Sequence, residues 1–196
     1  MKDNNSNAYL NWERFMFLDF ETANYDNASA CQLAFEVYEH GKVIFSYNQL
    51  IKPSPYYFHP FHVSVHGIKP EDVIDAPEFD EVWEEIKPWF NQDTLVIAHN
   101  ASFDMGVLSK TLDKYEIEKP QFYYGCSVFM LRKMTDYRYP SYSLGKLANQ
   151  LDISFNHHDA MADAHAIKQI IDKFDNDLPH FTKSAYEKGY RYKKFN

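Results

Sequence analysis

Four acidic residues stand where acids are costly. Asp19 and Glu21 lie one residue apart inside the apolar run FMFLDFET, Phe15 to Thr22. In an extended strand, residues i and i+2 share a face. The two carboxylates therefore point the same way out of an element whose Phe15, Met16, Phe17, Leu18 and Phe20 read as buried on both sides. Adjacent like charges in such a place need a cation, a shared proton or a basic partner. Asp104 heads a helical stripe with Leu108, Leu112 and Tyr115, and Asp163 heads another with Ile167, Ile170, Ile171 and Phe174. Taken singly, an Asp in a first helical turn is ordinarily a cap or a dipole partner, and an Asp-x-Glu pair is ordinarily a solvated strand end. Together all four face the core, with no Lys or Arg on their stripes. Carboxylates that cannot neutralise one another point to bound divalent cations, and all-oxygen ligation suits Mg²⁺ or Mn²⁺ better than zinc.

The elements that must position these acids follow in order along the chain. Residues 15–21 form the first strand, and ACQLAFEVYEHGKVIFSYNQLIK reads as a hairpin with strands near 31–38 and 43–51 and its turn at EHGK. A Pro- and aromatic-rich loop with short helical turns precedes a helix in APEFDEVWEEIKPWF, whose Val82, Ile86, Trp89 and Phe90 share a side. TLVIAHN is a short buried strand leading into the Asp104 helix, about 102–115, and QFYYGCSV is a further strand. A helix begins near Ser143, a candidate N-cap, and HHDAMADAHAIKQIIDKF is the last long helix. An antiparallel set followed by strands alternating with helices predicts an α/β fold, a mixed sheet flanked by helices on both faces.

At 196 residues and 45% hydrophobic, the chain fits one domain with a substantial core. Two isolated cysteines, Cys31 and Cys126, form no metal cluster or disulfide framework, which suits a reducing, cytoplasmic setting. No run approaches the length of a membrane span, and the polar leader, residues 1–13, lacks the apolar core of a signal peptide. A net charge of −8 argues against a polyanionic partner unless bound cations carry the positive charge.

With these acids in this order, FLDFET, AHNASFDMGVL and HHDAMADA resemble the three sequence motifs of the DEDDh 3′→5′ exonucleases, the family of the proofreading epsilon subunit of bacterial DNA polymerase III and of RNase T. The resemblance runs over about residues 14–175 and defines an expected exonuclease domain at 14–178. It implies a ribonuclease-H-like mixed sheet. It also implies that Asp19, Glu21, Asp104 and Asp163 hold two divalent cations, Mg²⁺ or Mn²⁺. His158, five residues before Asp163, takes the place of the family's general base, while His157 has the wrong spacing. Thr22, His66 and Phe103 match positions that hold the terminal nucleotide. The implied substrate is a single-stranded or frayed 3′ end of DNA, or RNA, and the implied partner is a polymerase subunit.

Two rivals bear on this reading. The His158-Asp159 dipeptide also occurs in metal phosphohydrolases, whose all-helical folds do not fit the strands here. A catalytically silent nucleic-acid-binding module would share the fold, yet every expected catalytic position is occupied. The segment 179–196 forms a basic and aromatic tail. Five bases and one acid in TKSAYEKGYRYKKFN interleave with Tyr186, Tyr190, Tyr192 and Phe195. That mix could touch nucleic acid, but the segment is expected to be solvated and partly frayed.

Overall fold

Alternation along the first strand divides the core in two. The computed structural model describes residues 12–195. In β1 (Arg14–Thr22), Met16, Leu18 and Phe20 face one side of the sheet and Phe15 and Phe17 the other, all at most 2% exposed. The first set packs with α2 (Phe79–Ile86) and α3 (Ser102–Lys114). The second packs with α5 (Leu144–Gln150), α6 (Ala160–Asp172) and α7 (Leu178–Glu187). Asp19 and Glu21 continue the Phe15–Phe17 face, so they emerge on the side of α6.

β1 pairs antiparallel with β2 (Ala30–Glu39), which pairs antiparallel with β3 (Lys42–Leu50). The hairpin turns on His40 and Gly41, with φ of 50° and 74°. Two successive positive φ values match the right-handed twist of the flanking strands, and a glycine adopts its value without strain. On its other side β1 pairs parallel with β4 (Thr94–Ala98), which pairs parallel with β5 (Phe122–Cys126). The described strands form one mixed sheet in the order β3-β2-β1-β4-β5-β6, where β6 is Lys193–Phe195. A short α1 (Pro60–His66) lies in the aromatic loop.

Three expectations need correction. The run QFYYGCSV does not continue as a strand: it stops at Cys126, and α4 (Ser127–Met134) starts directly. Ser143 does occupy the N-cap position of α5, but its side chain makes no capping bond and meets the Ser141 hydroxyl instead. The described part of the segment after 178, through residue 195, is not frayed. The expected domain boundary between 178 and 179 falls inside α7, and β6 (Lys193–Phe195) pairs antiparallel with β5. Phe195 stacks on Phe122 with ring centroids 4.7 Å apart, and the buried Tyr190 hydroxyl accepts from Cys126 N at 2.6 Å. The polar leader falls, through residue 11, outside the described residues; Trp12 is buried against Tyr123 and Tyr192.

Candidate active site

The acids meet because β1 outruns its neighbour. Parallel pairing with β4 ends at Leu18 opposite Ala98, so Asp19 to Thr22 extend past it, with a register irregularity at Glu21/Thr22 on the β2 side. Phe20 N–H, beyond the last β4 partner, donates to Asp104 Oδ1 at 3.2 Å. Asp104 sits in the first turn of α3, on the opposite layer, and reaches round the end of β4 to do this. Its other oxygen, Oδ2, is buried without a partner among the described residues. From the near layer, α6 brings Asp163 down in its own first turn. One oxygen each from Asp19, Glu21 and Asp163 lies within 4.8 Å of the others.

Such crowding shifts proton affinities upward. Burial, then the charges of Asp104, Asp163 and Glu21, raises the Asp19 carboxyl well above the ordinary range. Burial, then Asp163 and Asp104, pushes Glu21 up to about 8. Burial raises Asp104 as well, against the opposing pull of backbone donors, and it raises Asp163 despite the neighbouring His157. The metal-free cluster therefore favours shared protons, while a divalent ion would favour its charged form. The donor set fits such an ion: it is all oxygen, it carries more negative charge than its surroundings neutralise, and it includes, at Asp104, a buried oxygen with no partner among the described residues.

His158 and His157 share the loop before α6. His158 has φ of 69° and donates through its backbone N–H to Asp163 at 3.3 Å. Its ring stacks on that of His157, with centroids 3.9 Å apart, and burial followed by His157 lowers its proton affinity. The histidine whose ring touches Asp163 is His157, with Nδ1 3.0 Å from Oδ1. It rests on α5 at Gly145, where a Cβ would come within 3.0 Å of the ring. Spacing did not single out this contact.

Asp19, Glu21, Asp163 and both histidines line a cleft of about 430 Å³, together with Phe103, which is 39% exposed; Asp104 lies buried and outside that lining. Thr22 and His66 are held together beyond Glu21. His66 Nδ1 accepts from Ile68 N at 3.0 Å, so Nε2 carries the proton and donates to Thr22 O at 3.1 Å. Burial lowers the proton affinity of His66, consistent with this neutral form. His62, absent from the sequence reading, shares Thr22 through its carbonyl and hydroxyl oxygens at 3.0 and 3.2 Å. His99 was also missed. Its Nε2 donates to Tyr142 O at 2.8 Å, its Nδ1 accepts from Ser127 Oγ at 2.9 Å, and burial depresses its affinity to about 4. It acts as a neutral brace joining β4, α4 and the segment before α5.

Comparison with known proteins agrees with this architecture. The family model described as exonuclease, RNase T, matches residues 16–171. The PolC-type DNA polymerase III of Bacillus cereus is 28% identical over 200 residues, covering 96% of this chain and 13% of the polymerase. The chain thus spans about an eighth of the length of that relative. Among solved structures, E. coli exonuclease I in complex with a dA16 oligonucleotide superposes with a TM-score of 0.70 at 19% identity, over 88% of this chain and 43% of that one. Cell-death related nuclease 4 superposes with a TM-score of 0.70 at 21% identity, over 84% and 64%. These likenesses bear out the ribonuclease-H-like mixed sheet.

Proposed function

The chain belongs to the exonuclease family that it matches over residues 16–171, a family of metal-dependent nucleases, and from that premise we propose that it removes nucleoside monophosphates from the 3′ end of single-stranded or frayed DNA, with RNA as the alternative substrate. The observation that carries this reading is the convergence of Asp19, Glu21 and Asp163 on an open cleft, with the charge of the buried Asp104, whose Oδ2 has no partner among the described residues, acting on Asp19 and Glu21.

In this proposal Asp19, Glu21, Asp104 and Asp163 hold two divalent cations, Mg²⁺ or Mn²⁺. When bound, the cations supply positive charge to the reacting phosphate and to the departing 3′ oxygen. The remaining work falls to this chain's own groups. The His158 imidazole takes a proton from the attacking water. Its place on a loop with left-handed backbone, and stacked on His157, supports a ring that reorients when His157 leaves Asp163. Phe103 stacks on the terminal base, which reads no sequence, and the Thr22–His66 pair borders the sugar. The likeness to a PolC-type polymerase supports a proofreading role beside polymerase machinery, and the single-stranded oligonucleotide in the exonuclease I complex supports a single-stranded substrate.

The test uses DNA and RNA oligonucleotides labelled at the 3′ or the 5′ end, with Mg²⁺, Mn²⁺ or EDTA. Stepwise loss from the 3′ end, stopped by EDTA, is the expected result. Cleavage from the 5′ end, or full activity in excess chelator, refutes the proposal.

A further inference from the structure

One cation lines the cleft. Among the described residues around it, Arg132 of α4 is the only Lys or Arg, in a site otherwise furnished with Asp19, Glu21 and Asp163. Yet Arg132 makes no ion pair with any of them, nor with any other described carboxylate. It is held by aromatic faces instead. Its guanidinium carbon lies 5.4 Å from the Phe129 ring centroid and 5.5 Å from that of Tyr142. Tyr142 is fixed in turn, its hydroxyl on Thr135 and its carbonyl on His99. Stacking of this kind steadies a guanidinium while leaving its in-plane N–H groups free. A half-buried, unpaired cation beside an acidic cluster is poorly placed for stability. It is well placed for an anion that enters the cleft from solvent.

We propose that Arg132 anchors the substrate strand by binding a phosphate of a linkage next to the scissile one. This rests on the exonuclease reading above. The scissile phosphate belongs beside the four acids, and Arg132 stands beyond ion-pair reach of them. The neighbouring phosphate of the same strand is an anion of the right kind at that remove. A planar fork suits its two non-bridging oxygens. Phe103, on the same cleft and 39% exposed, offers a base-stacking surface. Arg132 is then the residue that makes the site prefer a polynucleotide over an isolated phosphodiester.

The test compares three substrates on the wild type, Arg132→Met and Arg132→Lys. They are a single-stranded DNA decamer, the same decamer with one neutral methylphosphonate in place of the linkage next to the terminal one, and the p-nitrophenyl ester of thymidine 5′-phosphate, which has one phosphodiester and no neighbour. Arg132→Met is expected to lower kcat/KM for the decamer about 10–100-fold relative to the ester, chiefly through KM. It should also reduce the salt dependence by about one phosphate contact. Arg132→Lys should recover part of the loss. The neutral linkage should reproduce the loss in the wild type and add nothing in Arg132→Met. An equal loss on decamer and ester, or none on either, overturns the anchor; if the ester is not turned over, the neutral-linkage comparison decides alone. A wild type that cleaves none of the three overturns the exonuclease reading and the anchor with it.

Discussion

Replacing Glu21 by Gln should make the metal-free protein more stable while destroying its activity. Glu21 is 9% exposed, and burial with the charges of Asp163 and Asp104 moves its carboxyl from the ordinary 4.5 to about 8. Because the folded chain holds this proton more tightly than the unfolded chain, it keeps a proton that the unfolded chain has lost. Stability therefore falls as pH rises from about 4.5 to about 8. Each tenfold in proton affinity is about 1.4 kcal/mol, so the displacement corresponds to on the order of 5 kcal/mol above that window. Relaxation and proton uptake by the neighbouring acids reduce this to about 2–4 kcal/mol. Glutamine keeps the shape and removes the charge. In EDTA at pH 8.5, Glu21→Gln should melt roughly 5–15 °C above the parent, at about 2–4 °C per kcal/mol for a chain of this size. At pH 5 the two should nearly coincide. Thermal unfolding followed by circular dichroism from pH 5 to 8.5 measures this directly. Added Mn²⁺ should raise the parent's midpoint at pH 8.5 more than the variant's. A parent whose metal-free stability is flat or rises across the window, or a variant that melts below it at pH 8.5, refutes the reasoning.

His158→Ala should slow single-turnover cleavage about 10²–10⁴-fold, the usual worth of a positioned base, whereas His157→Ala should stay within about tenfold of the parent; a dead His157 variant beside an active His158 variant would reverse the two roles. Calorimetric Mn²⁺ titration should separate Asp163→Ala, which weakens binding, from His158→Ala, which leaves it nearly as in the parent; equal affinities for the two variants would remove Asp163 from the cation site. Tyr190→Phe leaves the buried Cys126 N–H without its acceptor, which should destabilise by about 1–3 kcal/mol. An unchanged urea midpoint would show that this hydroxyl contributes nothing to the tail's attachment.

The four acids were legible because each breaks a local rule. Asp19 and Glu21 interrupt an apolar strand, and Asp104 and Asp163 head stripes that are otherwise aliphatic and aromatic. Period alone places such residues on faces, and the faces were right. What period does not carry is where strands stop relative to one another. The bond from Phe20 N to Asp104 exists because β4 ends opposite Leu18, a fact of register between segments about 80 residues apart. Order in residues 179–195 was hidden for a similar reason. A three-residue strand has no periodicity of its own, and β6 is defined by Phe195 stacking on the distant Phe122. At the histidine pair, spacing favoured His158, and what spacing does not carry is which ring bonds Asp163: His157 Nδ1 lies 3.0 Å from Oδ1, while His158 meets the same carboxylate through its backbone N–H. Arg132 escaped notice because nothing in the sequence distinguishes an unpaired cation from a solvated one.

The two ends of the sheet differ in a way that bears on self-association. Among the described strands, β6 closes one side with three residues, two of them the exposed Lys193 and Lys194. A strand so short and so charged is a poor template for another chain. On the opposite side, β3 presents nine residues, with Val43 and Ile44 46% and 45% exposed near its start. Its outward N–H and C=O groups have no neighbour in the sheet order. Edge-on aggregation of this fold is therefore directional: one border repels a second copy and the other admits it. A lysine in place of Val43 would be the smallest change that gives the second border the defence the first already has.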